Sequence, residues 1–214
     1  MPWVLYLVYS VFWRRRQRNK AWEALGERLG LDYRPPSIIG SYRKLEGAYK
    51  GKPVFIEVIY YGGTNDRDTY TKYGRKLDER WRADVELATF KSKLFKRKPD
   101  GYRTGDPSFD DKYEIFGKIT EDVEAVILHE DVRRELEQLS EHYASFWIEE
   151  RWLWVEHRRV ANDDQRMEET LERMIALDQA ITAALDAHGG AQGPASREPE
   201  VMGVEEAPSG GVGW

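Results

Sequence analysis

The residues of this chain whose type and spacing best suit chemistry are three aspartates, Asp106, Asp110 and Asp111. Carboxylate oxygens are preferred ligands of hard cations such as Ca²⁺ and Mg²⁺. One hypothesis is therefore a metal-dependent enzyme that uses these carboxylates. The same segment has the pattern of a helix N-cap at Asp106, a first-turn proline and a buried anchor at Phe109. The pattern favours this structural role.

Other groups that could carry catalysis are sparse. The chain has no cysteine, and it contains no nucleophile elbow, Walker motif or dinucleotide-binding glycine pattern. None of its four histidines has metal-ligand spacing. Glu149 and Glu150 point to opposite faces of a predicted strand, so they do not form an acid–base pair. We therefore expect a protein that is not an enzyme and that needs no cofactor.

Basic and aromatic side chains alternate in residues 91–103. Phe95 and Tyr102 lie among six lysines and arginines there. This mixture is typical of a surface that contacts lipid phosphates or a nucleic-acid backbone, although a solvated loop has the same composition. The residues in this stretch that we expect to make contacts are Lys96, Arg97 and Lys98.

Three tryptophans share one face of a predicted β-hairpin over residues 146–155, which turns at Glu150 and Arg151. They are Trp147, Trp152 and Trp154. Because each indole is large and apolar, the three are costly to leave together in water. Either a helix covers them, for instance the first helix through Trp22, or they form a contact surface for a partner or a membrane.

The N-terminus joins an apolar segment to a basic flank. Residues 2–13 carry no charge, and five of the next seven residues are arginine or lysine. Twelve helical residues span about 18 Å, whereas a hydrocarbon core is about 30 Å thick. Snorkelling arginines and local bilayer thinning can make up the difference, while the alternative is a buried first helix of a soluble protein. We expect membrane contacts from Trp3, Trp13, Arg14, Arg15 and Arg16.

Charge is divided unevenly along the chain. Residues 1–103 contain 23 Lys and Arg against 12 Asp and Glu, whereas residues 104–214 contain 10 against 26. A basic half next to an apolar segment suits an anionic membrane surface, although nucleic acid attracts the same charge. The positive-inside rule then places the remainder of the chain in the cytoplasm. We predict an inner-membrane location with a soluble domain in the cytoplasm.

Hydrophobic periodicity predicts one α+β domain. Helical stripes end at Gly30 and recur after residues 130 and 162, and strands are expected at residues 45–49, 54–61, 81–87 and 113–116 and in the tryptophan hairpin. Residues 62–74 are predicted to be a polar loop. We expect an antiparallel sheet of about five to six strands flanked by helices, with an N-terminal apolar helix. Residues 1–20 would be the membrane segment and its flank, 21–188 the domain and 189–214 a disordered acidic tail.

The segment TGDPSFDDKYEIFG, followed by EAVILHEDVRRELEQL and FWIEERWLWVEH, resembles a bacterial domain of unknown function with the pattern TGDxxFDxx[FY]x[VI]xG. The resemblance covers about half of the chain, and residues 64–103 depart from it by their higher charge. The matching positions are Phe109, Asp110, Tyr113, Ile115, Gly117, Ala125, Leu128, Leu136 and Leu139. The resemblance implies this fold and an N-terminal membrane anchor, but no active site.

These patterns together predict a non-catalytic, membrane-anchored binding or scaffold module on the cytoplasmic face. Its partners would be an anionic membrane surface and a protein. The alternatives are the metal-dependent enzyme that uses the aspartates of residues 106–111, and a nucleic-acid-binding protein that uses the basic N-terminal half. We favour lipid over nucleic acid, and the oligomeric state stays open.

Overall fold

The computed structural model describes residues 2–36, 42–61, 68–82, 84–89, 101–143 and 145–189. Its helices are α1 (Pro2–Leu29), α2 (Pro107–Asp110), α3 (Glu121–Ile127), α4 (Glu130–His142) and α5 (Asp164–Gly189). Its strands are β1 (Asp32–Arg34), β2 (Lys44–Tyr49), β3 (Lys52–Tyr61), β4 (Asp68–Lys76), β5 (Glu86–Thr89), β6 (Tyr113–Phe116), β7 (Ser145–Glu149) and β8 (Trp152–Arg158).

Within the described ranges all strands form one antiparallel sheet, in the order β1-β2-β3-β4-β8-β7-β5-β6. The sheet has eight strands, so the prediction of five to six strands is wrong. The sequence prediction is furthest from the structure at β4. This strand lies in the middle of the sheet, although residues 62–74 were expected to be a polar loop. Its positions facing the helices include Thr71 and Arg75, both buried. Buried polar residues do not produce the apolar alternation by which strands are recognised.

The core lies between one face of the sheet and the helices. Helix α5 supplies the longest apolar stripe, and α1 adds Trp22 and Leu25, both fully buried. Gly26 allows the close approach of α1, because a Cβ there would lie 2.9 Å from the carbonyl oxygen of Leu31 and from a methyl group of Leu45. The stripe on α5 consists of Met167, Leu171, Met174, Leu177 and Ile181.

Helix α1 is continuous from its apolar start into the domain core. The predicted N-terminal apolar helix is therefore wrong as a separate element, because Trp13 and Trp22 belong to one 28-residue helix. No helix in the described residues combines the length and the apolarity needed to cross a bilayer. This finding contradicts the predicted single-pass membrane segment and the predicted inner-membrane location.

The hairpin of β7 and β8 forms as predicted. Ile148 pairs with Leu153, and the two turn residues, Glu150 and Arg151, have φ angles of 50° and 64°. Two residues with positive φ are typical of the tight turn whose twist matches that of the flanking strands. Trp147 and Trp154 are directly paired across the hairpin, on the sheet face opposite the helices.

Candidate binding surface

Two of the three carboxylates proposed as metal ligands, those of Asp106 and Asp110, are occupied by local hydrogen bonds. Asp106 caps α2, where it accepts from the backbone N–H groups of Ser108 (2.9 Å) and Phe109 (3.4 Å). Hydrogen bonding from Ser108 lowers the pKa of Asp106. Asp110 accepts from the backbone N–H and hydroxyl of Thr104, each at 3.0 Å. In the part of the chain that the structure describes, no cluster of three or more acidic or histidine side chains could hold a metal ion.

The tryptophan face of the hairpin forms a packed aromatic layer. The ring of Phe55 lies 5.2 Å from that of Trp152 and 4.9 Å from that of Trp154, centroid to centroid, and the two indoles stack at 5.6 Å. Gly74 makes this possible, because a Cβ there would lie 2.7 Å from ring atoms of Phe55. This aromatic layer covers the face of the sheet opposite the helices, and its rings pack against one another.

Lysines cover the indoles of this layer. Lys72 Nζ lies 3.8 Å from the ring centroid of Trp154, and Lys76 Nζ lies 5.0 Å from that of Trp152. Burial lowers the pKa of Lys72, which is expected where an ammonium group rests against apolar rings. Trp147 is only 3% exposed, and Trp152 and Trp154 are half-buried. The layer therefore offers a partner little free aromatic surface.

The sequence left open whether a helix covers this layer through Trp22. Trp22 lies on the opposite side of the sheet, in the core, where its Nε1–H donates to the carbonyl oxygen of Ala161 at 2.9 Å. The interpretation in which the first helix covers the hairpin tryptophans through Trp22 is therefore wrong.

The first half of α1 carries four strongly exposed aromatic side chains. Trp3 is 77% exposed, Tyr6 66%, Tyr9 63% and Trp13 50%. Spacings of three and four residues place them on one side of the helix. The rings of Tyr9 and Trp13 stack with centroids 6.0 Å apart. These side chains form an apolar stripe that the domain core does not cover.

Two further exposed aromatic residues lie in or next to the sheet, beside the middle of α1. The Asn19 side chain of α1 accepts a hydrogen bond from Arg43 Nε at 2.9 Å. Next to Arg43, Tyr42 and Tyr60 pack against each other with centroids 5.2 Å apart, and they are 55% and 45% exposed. We call the combined surface the aromatic end, and its members are Trp3, Tyr6, Tyr9, Trp13, Tyr42 and Tyr60.

The aromatic end includes only some of the residues expected from the sequence. Trp3, Trp13 and Arg16 are exposed on α1 as expected for contact residues. Tyr42 and Tyr60 were not predicted as contact residues, and Tyr60 lies within the strand that the sequence predicts at residues 54–61. The predicted contacts that lie outside the described residues or side chains are Arg14, Arg15, Lys96, Arg97 and Lys98.

Comparison with known proteins yields a fold likeness and no family. No family model matches the chain, and no curated protein matches it. The resemblance to a bacterial domain of unknown function thus stays a prediction. A crystal structure, that of the mycobacterial trehalose monomycolate transport factor A, TtfA, superposes on 78% of this chain and on 95% of its own, with 14% identity and a TM-score of 0.51. At this identity the chain is similar to that protein in fold alone.

Proposed function

We propose that this chain is a non-catalytic binding module that holds a protein partner through the aromatic end. The observation that carries the proposal is the exposure of six large aromatic side chains, four along the first half of α1 and two beside its middle, from 45% for Tyr60 to 77% for Trp3. Tryptophan, tyrosine and arginine are the residues most enriched among those that dominate binding energy at protein interfaces. Contiguous exposed apolar patches of this kind mark interaction sites.

The chemistry of the aromatic end defines the partner. An aromatic stripe along a helix fits an apolar groove, as in other helix-in-groove complexes. The stripe is followed by five arginines and lysines within residues 14–20, so carboxylates at the border of the groove would complement it. Burying one tryptophan removes roughly 150–250 Å² from water, which is worth about 4–6 kcal/mol before the costs of association.

The fold likeness agrees with a binding role. The superposed protein is named a transport factor for trehalose monomycolate. That name describes the superposed protein, and for this chain we propose a binding role without the same cargo.

Photocrosslinking in cells tests the proposal. A photoreactive phenylalanine analogue is placed at Tyr6, at Tyr60 and, as a control, at Gln179, an exposed position on α5. We expect Tyr6 and Tyr60 to crosslink to the same protein and Gln179 not to do so, because only the first two belong to the aromatic end. Crosslinks to unrelated proteins from the two positions would contradict a shared surface.

Binding measured with the purified crosslinked partner provides the quantitative test. Trp3→Ala and Trp13→Ala should each raise Kd by about tenfold or more, since each removes a large interface side chain. Tyr102→Ala is the matched control, because Tyr102 is an exposed aromatic residue outside the aromatic end. If the chain instead binds phosphatidylglycerol vesicles through Trp3 and Trp13, with no protein crosslinked, the surface serves lipid and the proposal is wrong.

A further inference from the structure

A cavity of about 390 Å³ lies where α4 ends, β8 leads into α5, and the first turns of α5 begin. Small-molecule sites in proteins usually measure about 300–1,000 Å³. The basic side chains of its lining are His142, His157, Arg159 and Arg166. The cavity is large enough for a small metabolite, and its lining determines which kind.

The arginines of the cavity are poorly neutralised by the protein. The Arg159 guanidinium has no hydrogen-bond or ion-pair partner in the described part of the chain. The nearest carboxylate to Arg166 is that of Asp163, at 3.7 Å, and the Arg166 side chain is 82% exposed. Asp163 is already engaged, because it accepts hydrogen bonds from two backbone N–H groups at the start of α5. Glu169 is the other carboxylate in the lining.

His157 reports the local potential. Burial, followed by the charges of Arg166 and Arg159, lowers the pKa of His157. Nearby positive charges lower a histidine pKa because they disfavour a further positive charge. The two guanidinium groups therefore lie close enough to act on the His157 ring, and they would attract an anion placed beside them.

The backbone holds Arg159 in an unusual conformation. Its φ angle is 84°, which a residue with a Cβ rarely adopts and which costs about 1–3 kcal/mol. The carbonyl oxygen of Thr69 accepts from Arg159 N–H at 2.6 Å, and Thr71 Oγ1 donates to the Arg159 carbonyl at 2.9 Å. Thr71 Oγ1 also accepts from Ala161 N–H at 2.8 Å. The segment between β8 and α5 is therefore hydrogen-bonded to β4, and this fixes the backbone from which the Arg159 side chain extends.

The rest of the lining suits the uncharged part of a ligand. Val160 and Ala161 contribute aliphatic surface, and Tyr143 contributes a ring. The Tyr143 hydroxyl donates to Thr170 Oγ1 at 2.9 Å, and Thr170 in turn donates to the carbonyl oxygen of Arg166 at 2.9 Å. This chain of hydrogen bonds holds the ring in place beside the arginines.

We infer that this cavity binds the phosphate group of a small phosphate monoester, with Arg159 and Arg166 as its cationic ligands and Tyr143 and Val160 against its organic part. The planar guanidinium group matches phosphate oxygens in geometry as well as charge. This site is independent of the protein partner proposed for the aromatic end.

Titration of the full chain with phenyl phosphate, followed by NMR of the His157 ring, tests the inference. We expect saturable binding and a rise in the pKa of His157 by about one pH unit, because an anion then lies beside the ring. Arg159→Asn and Arg166→Gln should each weaken binding by about tenfold or more. Asparagine is chosen because it tolerates positive φ, and unchanged thermal unfolding of both variants confirms that the fold is intact.

Arg158→Gln is the matched control for charge. Arg158 is the neighbouring residue, and it pairs with Asp68 at 2.9 Å outside the cavity lining. Its variant should bind phenyl phosphate within about twofold of the unaltered chain, since Arg158 is paired with Asp68 and does not line the cavity. An equal loss in Arg158→Gln, or no saturable binding of phenyl phosphate or inorganic phosphate, overturns the inference.

The source of the phosphate is resolved by a second arm. Vesicles of phosphatidylcholine with phosphatidylglycerol present the same oxyanion on a lipid headgroup. Binding of soluble phenyl phosphate that depends on Arg159 supports a free metabolite. Vesicle binding that depends on Arg159, without binding of soluble phenyl phosphate, overturns the assignment to a free metabolite. The ligand is then a lipid headgroup phosphate.

Discussion

The buried ion pair between β4 and α5 provides the sharpest test of how this fold is held together. Asp178 of α5 is 1% exposed, and Arg75 of β4 is 2% exposed. Asp178 Oδ2 accepts from Arg75 Nε at 3.0 Å, and Oδ1 lies 2.6 Å from Lys52 Nζ. Arg75 also donates to the carbonyl oxygen of Tyr49 at 3.1 Å. One carboxylate thus neutralises two cations and ties the C-terminal helix to the middle of the sheet.

Asp178→Asn removes the negative charge with little change in shape. The Arg75 guanidinium then stays buried without a counterion, which typically costs about 3–5 kcal/mol. The matched control is Asp186→Asn on the same helix. Asp186 pairs with Arg80, but their side chains are 64% and 48% exposed, so water already screens the pair and the cost should be under about 1 kcal/mol.

Urea unfolding of the two variants and the unaltered chain measures both losses as free energies of unfolding. A loss for Asp178→Asn no larger than that for Asp186→Asn would refute the argument. The double variant Arg75→Met with Asp178→Leu adds a second check. It should recover most of the loss, because replacing a buried pair with apolar side chains of similar volume is often neutral or stabilising.

Two further predictions concern the opposite side of the sheet. Gly74→Ala should lower the free energy of unfolding, measured in urea, by about 1–3 kcal/mol, because the added Cβ would lie 2.7 Å from ring atoms of Phe55 and 2.8 Å from Trp154. Gly101→Ala is the control, because the nearest atom to a Cβ there is 3.5 Å away. Equal losses in the two variants would contradict the predicted clash. Burial raises the pKa of Glu156 above its ordinary value of 4.5, so its contribution to stability is present below that value and is lost as pH rises through the folded-state pKa. Glu156→Gln should therefore gain stability relative to the unaltered chain as pH rises above 4.5, and a difference that does not change with pH would refute the assignment.

Local patterns predicted the elements whose residues alternate or recur regularly. The β7–β8 hairpin was predicted in its register, with Ile148 opposite Leu153, because two apolar alternations flank a two-residue turn. Strand β4 was missed for the opposite reason. Thr71 and Arg75 occupy buried positions in it, and their partners, Ala161 and Asp178, lie about 90 and 103 residues further along the chain. No local window of the sequence contains such pairs.

The sequence by itself determined that the start of the chain is apolar and aromatic, and that the three hairpin tryptophans share one face. Only the tertiary structure decided what these features do. It continues the apolar segment into a helix whose second half is buried at Trp22, places the exposed Tyr42 and Tyr60 beside that helix near Asn19, and packs lysines over Trp152 and Trp154. Exposure depends on which distant residues come to lie alongside, and that depends on the order of strands in the sheet and on the packing of α1 and α5.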